Sequence, residues 1–376
     1  MQFRDLHKQY ELLKVEIDKG IQEVINSTGF ILGEQVSILE KELAEYVGRK
    51  YCVSCGNGTD ALVLALRTYN IGRGDAVFTA DFTYIASASC AELVGAKPVF
   101  VDINLETFNI DIESLESQIE KVIKDGVLRP KAIVAVDLFG QPANYKELER
   151  VAKHYNLIII EDAAQGFGGS INGRKACSFG NISCTSFFPA KPLGCYGDGG
   201  AIFTDDEKIA ERLKSLRAGG KSPIDKYDNL EVGTNSRLDT MQAAILLPKL
   251  HAFKEYELEA VNKVANWYTK RLKNSLRTPL VLNDYVSSWA QYTILLKNEK
   301  ERNNVQKVLK DNGIPSMIYY PRGMHQQCAF RYMKLKDDDF PNTVFATKRC
   351  LSLPMHPYMK EEEVEQICSV ILKEIK

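Results

Sequence analysis

The sequence lacks an excess of charge of either sign and lacks any long apolar run. Its 48 lysines and arginines nearly balance its 49 aspartates and glutamates, so the overall charge does not favour nucleic acid or an anionic membrane surface as a partner. No apolar stretch approaches the roughly twenty residues that cross a bilayer, and the first residues lack the basic start and apolar core of a secretion signal. We therefore expect a cytoplasmic protein that binds neither nucleic acid nor a membrane.

Cysteines are present, but without the spacing of a metal site. There are nine, an odd number, scattered through apolar segments, which is typical of reduced thiols rather than of a disulfide framework. Cys52 and Cys55 have CxxC spacing, yet no second pair supplies the other two ligands of a zinc site. We predict buried structural cysteines and no metal centre.

Short apolar runs alternate with amphipathic helical stretches along most of the chain, which favours an α/β fold with a mostly parallel sheet and right-handed crossovers. The 376 residues are 45 per cent hydrophobic, enough for about two domains. We place a large domain at residues 1–250 and a smaller α+β domain at 251–376, with the N-terminal helices free to pack on the smaller one. The strand-like runs of the large domain are residues 51–55, 75–79, 98–101, 132–136 and 157–160.

The C-terminal part is predicted to follow a helix that ends near Pro248. A long helix over residues 251–276 should lead into this part, followed by strands at 289–296 and 317–320. The stretch from Gly219 to Gly233 is a long polar loop, and loops of that length are often functional.

Lys191 is the first candidate for chemistry. It lies in a segment rich in proline and glycine that follows an apolar run, so we expect it on a loop at the end of a buried strand. A second apolar run, residues 157–160, is closed by Glu161 and Asp162, and ligands of open α/β sheets bind at that end of the strands. The lysine and a carboxylate could form a salt bridge only. They are also the pair that pyridoxal phosphate requires: an amine that binds the cofactor covalently, and an acid that keeps its ring nitrogen protonated.

A glycine turn from Gly56 to Asp60 joins a predicted strand to a helix, whose first N–H groups would face an anion. The same residues begin a GxGxxA pattern, and Asp81 follows the next strand, so the spacing also permits a nicotinamide dinucleotide. An ATP-type phosphate loop is not expected near Gly220, because Ser215 stands where its first glycine should be. Spacing alone therefore leaves the cofactor open.

Seven motifs are distributed over nearly the whole chain, at residues 5–10, 56–62, 161–165, 186–191, 194–200, 235–245 and 353–357. Taken together, they resemble the DegT/DnrJ/StrS family of nucleotide-sugar aminotransferases, in the order and over the length that the family shows. The resemblance implies a pyridoxal-phosphate-dependent transferase of fold type I. It further implies a homodimer with shared active sites that moves the amino group of glutamate to a keto carbon of a nucleotide-linked sugar.

The resemblance also assigns roles to individual residues. Lys191 and Asp162 are the catalytic pair: the lysine holds the cofactor and moves a proton, and the carboxylate pairs with the ring nitrogen. Tyr84 is expected to stack on the ring, Gln165 to meet its hydroxyl group, and Asn235 to reach the phosphate from the neighbouring subunit. The full set of cofactor positions is Thr59, Asp60, Tyr84, Asp162, Gln165, Ser186, Lys191 and Asn235.

The substrate positions implied by the resemblance are Arg237, Tyr319 and Tyr320. An arginine fork matches a planar carboxylate, which favours the branch of the family that aminates carbon 3 of a UDP-linked 3-keto uronic acid for bacterial surface polysaccharides. Many relatives have histidine where this chain has Tyr319, so other polar groups are expected to replace it, with Arg322 and His325 as candidates.

Three alternatives stay open at this point. The acceptor could be a 3-keto or 4-keto-6-deoxy nucleotide sugar, or the protein could be a cofactor-binding regulator without turnover. A related dehydratase is disfavoured, because those enzymes replace the lysine by histidine and this chain has Lys191.

Overall fold

The computed structural model describes residues 1–225 and 227–375. Its α-helices are α1 Leu6–Ser27, α2 Glu34–Val47, α3 Gly58–Thr68, α4 Ala86–Leu93, α5 Ile112–Asp125, α6 Tyr145–Tyr155, α7 Glu207–Leu216, α8 Thr240–Ala252, α9 Leu258–Leu272, α10 Glu299–Asp311, α11 Pro341–Arg349 and α12 Glu361–Glu374. Its strands are β1 Tyr51–Cys55, β2 Asp75–Ala80, β3 Lys97–Val101, β4 Arg129–Val136, β5 Ile158–Asp162, β6 Ser170–Ile171, β7 Arg174–Lys175, β8 Ile182–Ser186, β9 Gly200–Thr204, β10 Tyr285–Val286, β11 Tyr292–Leu295 and β12 Cys350–Leu353. No helix within the described ranges has the length and apolar character needed to cross a membrane.

A seven-stranded sheet with the order β1-β9-β8-β5-β4-β2-β3 forms the centre of the molecule. Neighbours from β8 to β3 run parallel, and only β9 runs against the strands on either side of it. Helices cover both faces, so the strands are buried on both sides and their sequences are nearly continuous apolar runs. The predicted α/β class with a mostly parallel sheet is confirmed.

The topology brings three chain segments to one edge of this sheet. Because β1 and β8 both run against β9, they are parallel to each other, and their last residues, Cys55 and Ser186, both lie opposite Gly200. Asp162 ends β5 and is paired with Cys184 of β8. The carboxyl ends of β1, β5 and β8 therefore meet at one place, as the sequence analysis expected for the ligand site.

The helix boundaries follow local signals in the sequence. Asp5 caps α1 by accepting from the backbone N–H of Lys8, and the helix stops at Thr28, which takes the left-handed conformation. Gly48 ends α2 with φ +80°. Tyr84 lies just before α4, which begins at Ala86.

The helix predicted to end near Pro248 continues through it. Pro248 lacks an N–H group, so the carbonyl of Ala244 loses its partner in the helix. That carbonyl lies against Gly20 of α1, where the missing side chain permits close packing of the two helices. After α8 the chain makes a π-helical turn, Phe253–Glu257, and runs directly into α9.

The C-terminal region has its own apolar cluster. It is formed by α9, α10, α12 and the antiparallel pair β11 and β12, around residues such as Tyr268, Ile294 and Ile367. The strand predicted at residues 317–320 is reduced to one isolated bridge between Met317 and Ser352. Both α1 and α2 pack on α8. The division at residue 250 stays a prediction.

Candidate active site

Lys191 lies on a short closed loop after β8. The backbone N–H of Cys195 donates to the carbonyl of Phe187 over 2.8 Å, and that of Lys191 donates to Phe188, also over 2.8 Å. A Cβ atom on Gly194 would approach the carbonyl oxygen of Pro189 to 2.5 Å, so the turn has no room for a side chain there. The loop therefore holds the half-buried Lys191 in a restricted position.

Lys191 and Asp162 influence each other electrostatically. Burial lowers the pKa of Lys191, an effect that the nearby Asp162 carboxylate opposes and the Arg4 guanidinium reinforces. Asp162 is 5% exposed, and burial raises its pKa against the opposing effects of a hydrogen bond from Ser87 and the charge of Lys191. A larger share of Lys191 is therefore neutral than for a free lysine, and the neutral amine is the nucleophile.

Ser87 is a site residue that the sequence analysis did not assign. Its hydroxyl donates to Asp162 Oδ2 over 2.7 Å, while the backbone N–H of Ala164 reaches Oδ1 at 3.3 Å. The Thr83 hydroxyl lies 3.1 Å from that of Ser87 and supports it. The sequence signal that could have identified Ser87 is a hydroxyl residue at the start of a helix that follows a buried strand.

The start of α3 forms an anion cradle with Ser186. Asn57 caps the helix by accepting from the N–H of Asp60 at 2.8 Å, which leaves the N–H groups of Gly58 and Thr59 without a helical partner. A Cβ atom on Gly58 would lie 3.2 Å from Ser186 Oγ, so the serine hydroxyl borders the helix start. Two backbone donors, one hydroxyl and the positive end of the helix dipole together suit a phosphate.

Asp60 has contacts of its own within the chain. Its carboxylate accepts a hydrogen bond from Ser236 Oγ at 2.6 Å, and Ser236 in turn accepts from the N–H of Gly56 at 3.0 Å. Since the N–H of Asp60 is also taken by Asn57, Thr59 is the better placed of the two predicted phosphate residues. Ser236 was missed, although it stands between two residues that the sequence analysis did assign.

Gln165 and Tyr320 are brought together. Gln165 Oε1 accepts from the N–H of Phe139 at 2.7 Å, and its Nε2 donates to the Tyr320 hydroxyl at 3.1 Å. Tyr84 is 56% exposed, so it offers a ring face to a ligand. Tyr319 packs edge to face on Phe3 with 6.2 Å between the ring centres. The first residues of the chain thus lie next to the predicted substrate segment.

His325 does not face a substrate, contrary to the expectation. Its Nδ1 lies 2.6 Å from Asp81 Oδ2 and its Nε2 lies 3.0 Å from Asp337 Oδ1, with the ring buried. Both ring nitrogens of His325 therefore already have carboxylate partners, and the Asp81 carboxylate already has His325 as its partner. Asp81 cannot hold the ribose of a dinucleotide, which removes the physical basis for that cofactor. Arg322 is exposed.

Asn235 and Arg237 lie on the segment that enters α8. Asn235 is exposed and pairs with Ala218 in an isolated bridge. Arg237 is half-buried and makes no hydrogen bond or ion pair with any residue in the described ranges. The predicted functional loop from Gly219 to Gly233 contains Lys226, which lies outside the described residues.

The sequence profile of the DegT/DnrJ/EryC1/StrS aminotransferase family matches residues 11–372. The chain belongs to this family. Among curated members, it is 43% identical over 99% of both chains to a UDP-2-acetamido-2-deoxy-3-oxo-D-glucuronate aminotransferase of Pseudomonas aeruginosa. It is 40% identical to a pleiotropic regulatory protein of Geobacillus stearothermophilus, over 98% of this chain and 96% of that protein. It is 39% identical to a UDP-N-acetyl-3-dehydro-alpha-D-glucosamine 3-aminotransferase of Acidithiobacillus ferrooxidans, over 98% of this chain and 96% of that protein.

Solved structures agree with this family assignment. A family aminotransferase from Brucella abortus superposes with a TM-score of 0.96 at 43% identity, covering 99% of each chain. NtdA from Bacillus subtilis, solved with its bound cofactor PMP, superposes with a TM-score of 0.86 at 26% identity, covering 96% of this chain and 81% of that one. The expectations of fold type, transaminase class and pyridoxal phosphate as cofactor are confirmed for this family.

The residues at the strand ends fit pyridoxal phosphate. When bound, the cofactor supplies an electron-accepting ring. The donors at the start of α3 and Ser186 match its phosphate, and the buried Asp162 carboxylate can pair with a protonated ring nitrogen. Lys191 Nζ, with its lowered pKa, can accept and return a proton during turnover. The roles of the individual side chains stay predictions.

Proposed function

We propose that the protein transfers the amino group of glutamate to carbon 3 of UDP-2-acetamido-2-deoxy-3-oxo-glucuronic acid. The observation that carries this proposal is the whole-length similarity to the P. aeruginosa enzyme named for that substrate. The A. ferrooxidans relative also acts at carbon 3 of a UDP-linked sugar, which supports the nucleotide and the position. Such a product is a building block for bacterial surface polysaccharides, and we propose the cytoplasm as its place of synthesis.

Arg237 supports the uronic acid over a neutral sugar. It is half-buried and has no partner among the described residues, so its guanidinium group is available to an anionic ligand. A substrate carboxylate would supply two acceptors in the geometry that the guanidinium fork requires. Tyr319 and Tyr320 complete the proposed sugar contacts.

In the proposed reaction, Lys191 holds the cofactor and moves protons through Nζ. Asp162 keeps its negative charge with the help of Ser87, and that charge favours a proton on the ring nitrogen across from it. Gln165 is held at both ends of its amide, so it offers a fixed polar group to the ring hydroxyl. Thr59 and Ser186 bind the phosphate.

We further propose a homodimer in which Asn235 completes the neighbouring site. Large apolar side chains are exposed at Phe30, Ile31 and Leu32, and Ile31 is bridged to Asp239, close in sequence to Asn235. An exposed apolar group of this kind is typical of an interface. Such an interface would bring Asn235 close to a second copy.

Borohydride reduction of the protein with its cofactor, followed by peptide mapping, tests the covalent attachment. The label is expected on Lys191.

A second experiment offers UDP- and dTDP-linked keto sugars to the amine form of the protein and identifies products by mass spectrometry. The 3-oxo-glucuronate is expected to react fastest; preference for a 4-keto-6-deoxy sugar would disprove the substrate but not the class.

A second candidate is a cofactor-binding regulator, because a relative at 40% identity is a regulatory protein. The two functions differ in their response to glutamate. An aminotransferase converts its bound cofactor to the amine form, so the absorption of the lysine-bound form falls within minutes. A spectrum that glutamate leaves unchanged would favour the regulator.

A further inference from the structure

Two cations hold the loop that follows Lys191. Arg4 Nη2 donates to the carbonyl of Pro192 at 3.2 Å, and Lys249 Nζ donates to the carbonyl of Gly194. Each carbonyl has this one donor among the described residues. The two donors are far from Lys191 in sequence, one before it and one after it, and both bind carbonyl groups within three residues of Lys191.

Lys249 is buried to a degree that is rare for lysine. It is 1% exposed on α8, and burial lowers its pKa to about 8, although the charge of Glu257 opposes the shift. Burying an ammonium group is costly, and an apolar side chain of similar length would fill the same space without that cost. A role for the charged donor itself is therefore indicated.

Glu257 is the counter-ion of this cluster. It is buried at the end of the π-helical turn, accepts from Gln9 Nε2 at 2.8 Å, and also accepts from the Tyr358 hydroxyl. A π-turn shifts the following residues around the helix, so it decides which side chain faces inward. The charge of this carboxylate favours the protonated form of both Arg4 and Lys249.

We propose that Arg4 and Lys249 are positioning residues for amino transfer, which hold the Pro192 and Gly194 carbonyls so that the Lys191 amine stays fixed opposite Asp162. The inference rests on the proposed function, since it concerns the same lysine. Proton transfer demands an alignment of donor and acceptor within fractions of an ångström, and small displacements cost large factors in rate. Arg4 has a second effect, because its charge disfavours a proton on Lys191.

The test compares four variants with the wild-type enzyme. Lys249→Met and Arg4→Met remove a donor and its charge, and Arg4→Gln keeps a donor but removes the charge. Lys254→Met is the control, since Lys254 is exposed about one turn further along. The measurements are kcat per bound cofactor, KM for the keto sugar, the melting temperature, and the pH midpoint for reductive methylation of Lys191 in the full chain freed of cofactor.

Lys249→Met and Arg4→Met are each expected to lower kcat about tenfold, with KM for the sugar within about twofold of the wild-type value. Arg4→Gln should keep most of kcat, while both Arg4 variants move the methylation midpoint of Lys191 to higher pH by about one unit. Lys254→Met should match the wild type. If Lys249→Met does not fold, Lys249→Gln and the Arg4 pair carry the comparison.

Unchanged kcat per bound cofactor in Lys249→Met and Arg4→Met would overturn the inference. A lower melting temperature or cofactor content alone has the same meaning, because it would show a purely structural role. Borohydride labelling of the wild type distinguishes failure of this inference from failure of the proposed function. If the label is on Lys191 and the variants are unaffected, only this inference fails. Without a label on Lys191, the proposed function fails as well.

Discussion

At the scale of single residues, the site depends on a carboxylate that burial disfavours. Asp162 is nearly inaccessible, and within the described residues the hydroxyl of Ser87 is its one side-chain hydrogen-bond donor. A hydrogen bond to a charged group contributes about 1.5–3 kcal/mol, which corresponds to about one to two pKa units. The buried Ser87 hydroxyl thus favours the charged form of Asp162.

Ser87→Ala is expected to move the acidic limb of the pH profile. Losing the hydroxyl removes a stabilisation of the charged form, so the pKa of Asp162 rises further and less anion is present at low pH. The kcat/KM for glutamate, measured from pH 5 to 9, should fall about tenfold at the acidic end and little at the alkaline end. Ser87→Thr keeps the hydroxyl and serves as the control. An acidic limb that does not move would contradict the prediction.

Arg237→Gln is expected to reduce the preference for an acidic sugar. If the guanidinium meets a carboxylate, its removal should lower kcat/KM for the 3-oxo-glucuronate by about tenfold to a hundredfold. The rate with UDP-N-acetyl-3-oxo-glucosamine, which has no carboxylate, should change by less than about threefold. Steady-state kinetics gives kcat/KM for both sugars and thereby the change in preference. An equal loss on both would show that Arg237 serves the fold or the interface instead.

At the scale of elements, alternation along β5 separates two neighbouring acids. Asp162 faces the site, whereas the carboxylate of Glu161 accepts the backbone N–H groups of Cys177 and Phe179, each at 2.7 Å. On the adjacent strand end, Asp137 is fully buried and contacts Glu161. Burial, followed by the charge of Glu161, raises the pKa of Asp137 well above its usual range. The pair therefore shares its proton inside the fold.

Asp137→Asn should remove part of the pH dependence of stability. Above pH 3.8, the unfolded chain releases the Asp137 proton that the folded protein retains, so wild-type stability falls as pH rises through that window. Asparagine can still accept from Tyr145 and Ala143 and needs no proton. The variant should therefore melt about one to a few degrees above the wild type at pH 8.

That difference should shrink toward pH 5, because pH 5 lies closer to 3.8 and releasing the Asp137 proton then stabilises the unfolded chain less. Asp125→Asn is the matched control, because Asp125 is exposed on α5 and should leave the wild-type pH dependence intact. Differential scanning calorimetry from pH 5 to 9 gives the comparison. A variant that melts lower than the wild type at every pH would contradict the shared-proton interpretation.

At the scale of the whole molecule, the proposed dimer makes a prediction about mixed subunits. Lys191→Ala and Asn235→Ala should each be nearly inactive alone. If Asn235 serves the neighbouring site, refolding the two variants together gives hybrids with one intact site, and about a quarter of wild-type activity returns. If Asn235 serves its own chain, no activity returns. Mixing the Lys191→Ala and Asn235→Ala proteins without refolding is the control, because it measures spontaneous subunit exchange.

The local pattern of residues was enough to predict the sheet and the edge of it at which Lys191 and Asp162 lie. Buried parallel strands are short apolar runs whose carboxyl ends lie at one edge, so the sequence places these two residues near each other. Their catalytic roles stay predictions. The resemblance to a family then supplied roles for residues such as Gln165 and Tyr84.

Only the tertiary structure decided which residues support that pair. Ser87, Ser236 and Lys249 act through contacts with distant segments, and Arg4 reaches a carbonyl 188 positions away. It also removed His325 from the site by burying it between two acids. Periodicity describes which face of an element is apolar, whereas such polar contacts depend on how the elements pack, which no local pattern encodes.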